Sequence, residues 1–373
     1  MCGAFGGGVV TVYAPGRGTV GVWGTGSYLP ERVVTNDAVG RLAGVSAEWI
    51  ERKTGIVERR YAADHEAASD LAARAGARAL ADAGVRAEEL DWIVVATSTP
   101  DHPQPATAAL VQHRLGAFGA AAFDVNAVCA GFVAALHTAA RLLAADSSDG
   151  NGESGTGNTA SRGGDDSGGR RRCALVIGAE VYSRIIDPAD RRTAPLFGDG
   201  AGAVVIGPVG EGRGLVGTAM RTDGQLHALI GVQAGGSRQP ATEKSVARGE
   251  HFFRMQGRAV REFVERELPA AVTGTLERFS VRPGEVDHFV PHQANGEMLR
   301  SVTDLLGLTA ARVHLPVDRH GNTGAASIPL ALDHAARADE RAGHGPLEAD
   351  QLVLLAGFGG GMTLGTMLLR WGR

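Results

Sequence analysis

The sequence predicts an α/β fold made of two equivalent halves. Three observations carry that prediction. Short β-branched runs alternate with alanine-rich helical stretches, one strand–turn–helix series occurs twice in the same order, and 373 residues exceed what a single hydrophobic core usually fills. With 44% hydrophobic and 21% charged residues the chain has ordinary globular usage, which excludes wholesale disorder.

Strands are expected at 92–96, 122–125, 174–177, 203–206, 288–290 and 352–355, where runs such as Trp92-Ile-Val-Val-Ala96 are continuously apolar, as buried strands require. Helices are expected at 69–83, 106–115, 131–145, 257–279, 295–306 and 325–338. Lining these up exposes the echo. Asp91-Trp-Ile-Val-Val, a polar turn and a helix ending at Leu115-Gly116 match Asp287-His-Phe-Val-Pro, a polar turn and a helix ending at Leu306-Gly307. A strand, a sharp turn of small residues and a helix then follow in each half, across 123–131 and across 317–325. Each half closes on a strand and a glycine turn, Val176-Ile-Gly178 and Leu355-Ala-Gly357. Two halves at 19–208 and 209–373 follow, with a flexible tail at 1–18. The low-complexity stretch 146–172 is expected to be a disordered surface loop, because its Gly, Ser, Asn and Asp cannot bury enough apolar area to offset ordering the backbone.

The charge balance, 37 Lys and Arg against 41 Asp and Glu, leaves a net −4 and no basic field for a nucleic acid. Cys2, Cys129 and Cys173 are too few and too scattered for a disulfide framework or a zinc site, which fits a reducing, cytoplasmic setting. Residues 1–18 lack the basic and apolar blocks of a signal peptide. The apolar stretch 352–369 is interrupted by Gly357, Gly359, Gly360, Gly361 and Gly365, so buried strands around a tight turn suit it better than a membrane span.

Cys129 follows a strand and sits where a helix begins. It is either a buried structural cysteine or a nucleophile whose thiolate is stabilised by the helix N-terminus, in which case its pKa should fall. Cys173 lacks that setting and reads as structural. His292 stands at the carboxyl end of a strand, where α/β folds collect ligands. Asn322 is a functional amide or the N-cap of the helix that follows, and His320 reads as its structural neighbour. The run Gly359-Gly-Gly361 has neither the helix nor the Gly-Lys-Ser/Thr of a phosphate loop, but such a turn can present a backbone N–H to an oxyanion. Gly24-Thr-Gly26 is not a dinucleotide fingerprint, because Leu29 stands where a third glycine belongs.

Taken together these segments resemble the thiolase superfamily, and most closely β-ketoacyl-acyl-carrier-protein synthase III. The motifs run in family order: Gly24-Thr-Gly-Ser-Tyr-Leu-Pro30, Glu48-Trp-Ile50, Thr54-Gly-Ile56, Ala127-Val-Cys-Ala-Gly-Phe132, Phe197-Gly-Asp-Gly-Ala-Gly-Ala203, Pro291-His-Gln-Ala-Asn295, Asp318-Arg-His-Gly-Asn-Thr323 and Gly357-Phe-Gly-Gly-Gly361. The resemblance implies a duplicated thiolase-like fold in five layers, α-β-α-β-α. It also implies that Cys129 takes an acyl group from acyl-CoA, that the amides of Cys129 and Gly360 form an oxyanion hole, and that His292 and Asn322 bind the thioester carbonyl of a malonyl-acyl-carrier protein. Decarboxylation then builds an enolate that attacks the acyl-cysteine, with two-step ping-pong kinetics and no metal or bound cofactor.

By the same resemblance Trp49, Lys53, Arg191, Asn295, Gln104 and Phe358 bind substrate, and Gln293, Glu297 and Arg300 meet the acyl carrier protein. Lys53 replaces a usual arginine, and Glu297 replaces a usual base and would repel an acidic carrier. Gln104 stands where a partner subunit's phenylalanine often floors the primer pocket. A homodimer is therefore implied, with a primer other than acetyl: longer, branched or more polar. Two other readings share these residues. One is a related acyltransferase to a hydroxyl, amine or carrier protein without condensation, which the retained Asn322 disfavours. The other is a papain-like Cys-His-Asn hydrolase, which the duplicated α/β pattern disfavours.

Overall fold

The computed structural model describes residues 11–13, 19–146, 172–337 and 345–372. Two mixed sheets organise them. The first has the spatial order Val20–Tyr28, Gly200–Pro208, Ala174–Glu180, Trp92–Ala96, Ala121–Val125. The second has the order Thr11–Tyr13, Gly214–Thr222, Thr363–Arg370, Leu352–Gly359, His288–Pro291, Arg312–Val313. Setting aside the edge strand Thr11–Tyr13, both sheets pair antiparallel, antiparallel, parallel, parallel.

The echo extends to single hydrogen bonds. Asp91 Oδ2 accepts the Cys173 N–H at 2.9 Å, and Asp287 Oδ2 accepts the Leu352 N–H at 2.7 Å. Their carbonyls accept the N–H of Ala121 at 2.9 Å and of Arg312 at 2.8 Å. Each aspartate thus ties the start of its strand to both neighbours, which explains why the same residue opens both.

Five layers result. Helices Ala68–Ala83 and Thr107–Leu115 cover the outer face of the first sheet, and Gly257–Arg278 and Gly296–Thr303 cover that of the second. Between the sheets lie Gly131–Asp146 and Ser327–Ala336, whose Phe132, Leu136, Leu143, Ile328 and Leu332 share one buried cluster with strand residues of both sheets. The stretch Val128–Ala145 is long and apolar enough to cross a membrane by length and composition, and here two sheets cover it.

Several expectations need correction. Thr11–Tyr13, inside the expected tail, adds an edge strand; the rest of 1–18 and residues 147–171 of the low-complexity stretch lie outside the described residues. Val317–His320 is a short helix, and the paired strand of that half is Arg312–Val313. Val20–Tyr28 and Gly214–Thr222 escape a pattern search because glycines interrupt their β-branched residues. Those glycines have a packing role. A Cβ on Gly26 would lie 2.3 Å from Ala79 N and 2.5 Å from Ala75 O, so the strand rests directly on the helix backbone. Gly26→Ala should therefore lower stability by about 1–3 kcal/mol, the usual cost of overpacking, read as an earlier urea midpoint with an unchanged m-value.

Candidate active site

The strand Ala121–Val125 ends in a tight turn, Val128–Ala130, that delivers Cys129 to the start of Gly131–Asp146. Val128 holds φ +48, a left-handed conformation a β-branched residue rarely takes. Asn126 Oδ1 accepts its N–H at 3.2 Å. The surrounding structure holds that strained conformation, and the glycine run of the other half packs directly against this turn. A Cβ on Gly359 would stand 2.7 Å from Cys129 N, and one on Gly357 would stand 3.0 Å from Ala130 Cα. The glycines thus let two turns meet backbone to backbone, with Gly360 beside Val128 Cγ2.

The expected fall in the Cys129 pKa is not what this environment produces. The thiol is buried, and loss of hydration, followed by the charge of Glu180, pushes it well above its ordinary value against a lowering hydrogen bond from Tyr182. The sequence does place a helix N-terminus behind the sulfur, but burial outweighs it in the empty site.

His292 continues the strand His288–Pro291, its N–H donating to Ala356 O at 2.7 Å. Its Nδ1 lies 2.7 Å from Ser327 Oγ, and Phe358 meets the ring edge-on at a centroid distance of 5.1 Å. Ser327 Oγ also accepts the Gln293 N–H at 3.3 Å, and when its own proton goes to Nδ1 the ring proton sits on Nε2. Burial lowers the His292 pKa to about 3, so the imidazole is a neutral donor. Asn322 is clamped by its backbone, N–H to Leu196 O at 2.8 Å and C=O from Gly198 N at 3.0 Å. Its Oδ1 accepts the Gly324 N–H at 2.9 Å. That bond is an Asx turn and not the expected N-cap, since Thr323 and Ala326 stand at the cap positions of the turn and helix that follow, and it leaves the Nδ2 amide protons unspent.

Cys129, His292 and Asn322 line one cavity of about 500 Å³, together with Trp49, Lys53, Arg191, Asn295 and Phe358. Trp49 and Lys53 come from Ala47–Thr54, whose end is tied to the start of helix Gly296–Thr303 by Asn295 Nδ2 donating to Lys53 O at 3.2 Å. Gln104 is exposed and is not among the lining residues of its own chain. Of the three expected docking residues, Gln293 is a correction: it is 2% exposed and its Nε2 donates to Pro291 O and His314 O, at 2.7 and 3.0 Å, so it holds the loop from inside. Glu297 and Arg300 are at the surface and pair with each other.

Sequence reading missed Ser327, Glu180 and Tyr182. Glu180 ends a strand as His292 follows one, and an acid closing an apolar run was the available signal. Tyr182 carried none; it stacks on Phe197 at 4.5 Å and stands edge-on to Phe253.

Family comparison gives a consistent picture. Residues 164–224 match the model of 3-oxoacyl-[acyl-carrier-protein] synthase III, and residues 276–371 match the model of its C-terminal region. The chain is 51% identical to the acetoacetyl CoA synthase NphT7 of Streptomyces sp. (strain CL190), covering 93% of this chain and 97% of that one. It is 42% identical to β-ketoacyl-[acyl-carrier-protein] synthase III of Symbiobacterium thermophilum, over 95% and 98%. The solved priming β-ketosynthase of the R1128 polyketide pathway superposes with a TM-score of 0.81 at 32% identity, over 97% and 98%.

Two outcomes follow from this geometry. Gly359→Ala should abolish acylation of Cys129 in intact-mass assays, because the added methyl would displace the nucleophile's own backbone. His292 binds a proton at its ordinary 6.5 when unfolded but only near 3 when folded, so the unfolded chain holds more protons in between. Its contribution to stability is lost as pH falls from 6.5 toward 3, and H292N should lose less stability than the wild type across that window in urea titrations.

Proposed function

The chain belongs to the β-ketoacyl-[acyl-carrier-protein] synthase III family, and on that premise we propose that it condenses an acyl-CoA primer with a malonyl thioester through an acyl-Cys129 intermediate. One observation carries the reading: the cysteine of the first half and the two hydrogen-bond donors of the second line a single cavity, with Trp49, Lys53 and Arg191 along its wall.

The steps follow from the groups present. The Cys129 sulfur attacks the primer thioester, the amides of Cys129 and Gly360 hold the oxyanion, and CoA leaves. A malonyl thioester then places its carbonyl oxygen against His292 Nε2 and Asn322 Nδ2. Loss of carbon dioxide puts negative charge on that oxygen, and neutral donors in a dry cavity stabilise it most where the charge develops. The carbanion attacks the acyl-cysteine, and a β-ketoacyl thioester leaves to prime fatty-acid or polyketide synthesis. None of these steps requires a metal or redox cofactor, and soluble thioester substrates suit a cytoplasmic enzyme.

Two features refine the substrates. Tyr182 is buried and packed on Phe197 and Phe253, which line the same cavity as Cys129, so aromatic rings crowd that wall. That favours a short primer over the larger one expected from Gln104, which would act on a partner subunit's pocket in a homodimer. Around the mouth, Arg258 pairs with Glu262 at 2.9 Å, Arg261 with Glu265 at 2.6 Å, and Arg300 with Glu297. An acid beside each of these three arginines weakens their attraction for an acidic carrier protein, and the Streptomyces relative is by name a synthase of a CoA thioester. Malonyl-CoA is accordingly the favoured extender, ahead of malonyl-acyl carrier protein.

The test is release of labelled carbon dioxide from malonyl-CoA and from malonyl-acyl carrier protein in the presence of an acyl-CoA panel. The wild type should release it with short primers. Asn322→Ala should keep Cys129 acylation yet lose roughly 10²–10³-fold in carbon dioxide release. Acyl transfer without any release would overturn the condensation.

A further inference from the structure

Arg59 is 0% exposed, and among the described residues its guanidinium pairs with no carboxylate. Burying a cation this way is unfavourable, and an apolar side chain of similar volume would avoid the loss of hydration. Three oxygen acceptors hold it instead. Nη1 donates to Asn36 Oδ1 at 2.8 Å and to Val34 O at 3.3 Å, and Nη2 donates to Pro195 O at 2.7 Å. The planar fork thus ties the start of helix Asn36–Ala43 to the distant segment Pro195–Gly198.

That segment is the one that clamps Asn322 of the other half. Leu196 O accepts the Asn322 N–H at 2.8 Å, Asn322 O accepts the Gly198 N–H at 3.0 Å, and Phe197 and Asn322 form a parallel bridge. The arginine stem lies against both sides of this contact. An added Cβ would fall 3.0 Å from Arg59 Cβ at Gly198 and 3.2 Å from it at Gly321. Glycine at both positions lets one loop from each half close on the same side chain.

We propose that Arg59 is a positioning residue for condensation: by pinning Pro195–Gly198 from inside, it fixes where the Asn322 carboxamide meets the developing enolate oxygen. The inference rests on the condensation reading above, in which Asn322 Nδ2 donates to that oxygen. Arg59 is not among the residues lining the cavity and acts through Asn322 alone. A donor that stabilises charge only as it develops owes its effect to fixed placement, and a displacement of about 1 Å can cost roughly 100-fold in rate. Lysine is no substitute, because one ammonium on a flexible stem lacks the fork that reaches Asn36 and Pro195 together. Cys129 is seated separately, by Gly357 and Gly359, so its acylation does not depend on this clasp.

The experiment measures both half-reactions in Arg59→Lys, which keeps the charge and loses the fork. The variant should keep Cys129 acylation by a short acyl-CoA in intact-mass assays and lose roughly 10–100-fold in carbon dioxide release from the malonyl thioester. In an Asn322→Ala background the same substitution should cause no further loss, because the group it positions is gone. A substitution that only loosens the fold would lower acylation as well, and its effect would persist without Asn322. Asn36→Ala removes one acceptor and leaves the arginine in place. It should show the same split at smaller size, so the test stands even if Arg59→Lys does not fold. Undiminished release, equal losses in both half-reactions, or the same loss with and without Asn322 would overturn the proposal. A crystal structure of either variant supplies a readout that needs no turnover: Asn322 should shift by about 0.5 Å or more relative to Cys129, and an unmoved Asn322 would overturn the role. A wild type that releases no carbon dioxide would count against condensation itself, and the crystal structure would still decide what holds Asn322.

Discussion

Everything catalytic in this molecule depends on two places where backbone meets backbone across the halves. Gly359 lies against Cys129, and Gly178 lies against Ala325, where an added Cβ would fall 2.3 Å from the carbonyl oxygen. No side chain could stand in either contact. Because the halves close to that distance, the turn bearing the nucleophile and the loops bearing His292 and Asn322 open into one cavity.

Around the nucleophile, buried polar groups are neutral or hydrogen-bonded. The imidazole of His292 loses its charge to burial, Asn322 has its oxygen fixed by Gly324, and the Glu180 carboxylate accepts from Ser98, Thr99 and Ala325. A low local dielectric makes each of these bonds stronger and an unpaired group costlier. It also explains why a helix N-terminus behind Cys129 does not suffice to ionise the thiol: hydration is lost on all sides, and an acid stands nearby.

Much of the fold was legible because buried parallel strands leave uninterrupted apolar runs, and the six expected strands all fall inside observed ones. Val20–Tyr28 was hidden for the opposite reason, since glycines that let it rest on Ala68–Ala83 erase the β-branched signature. In the site, Cys129, His292 and Asn322 stand in motifs of unusual residues at element ends. Ser327 and Tyr182 belong to ordinary helical and turn segments, and their importance comes only from what lies opposite them.

The sequence by itself determined the duplicated α/β layout, through matching series opened by Asp91 and Asp287, and it singled out the residue types that a thioester chemistry needs. Tertiary structure alone decided which of those groups meet and in what protonation state. It turned Gln293 inward and joined a tyrosine, a serine and a carboxyl in one hydrogen-bonded row. The physical reason is that strand identity follows from local periodicity, whereas desolvation and hydrogen-bond direction depend on atoms far apart in the chain.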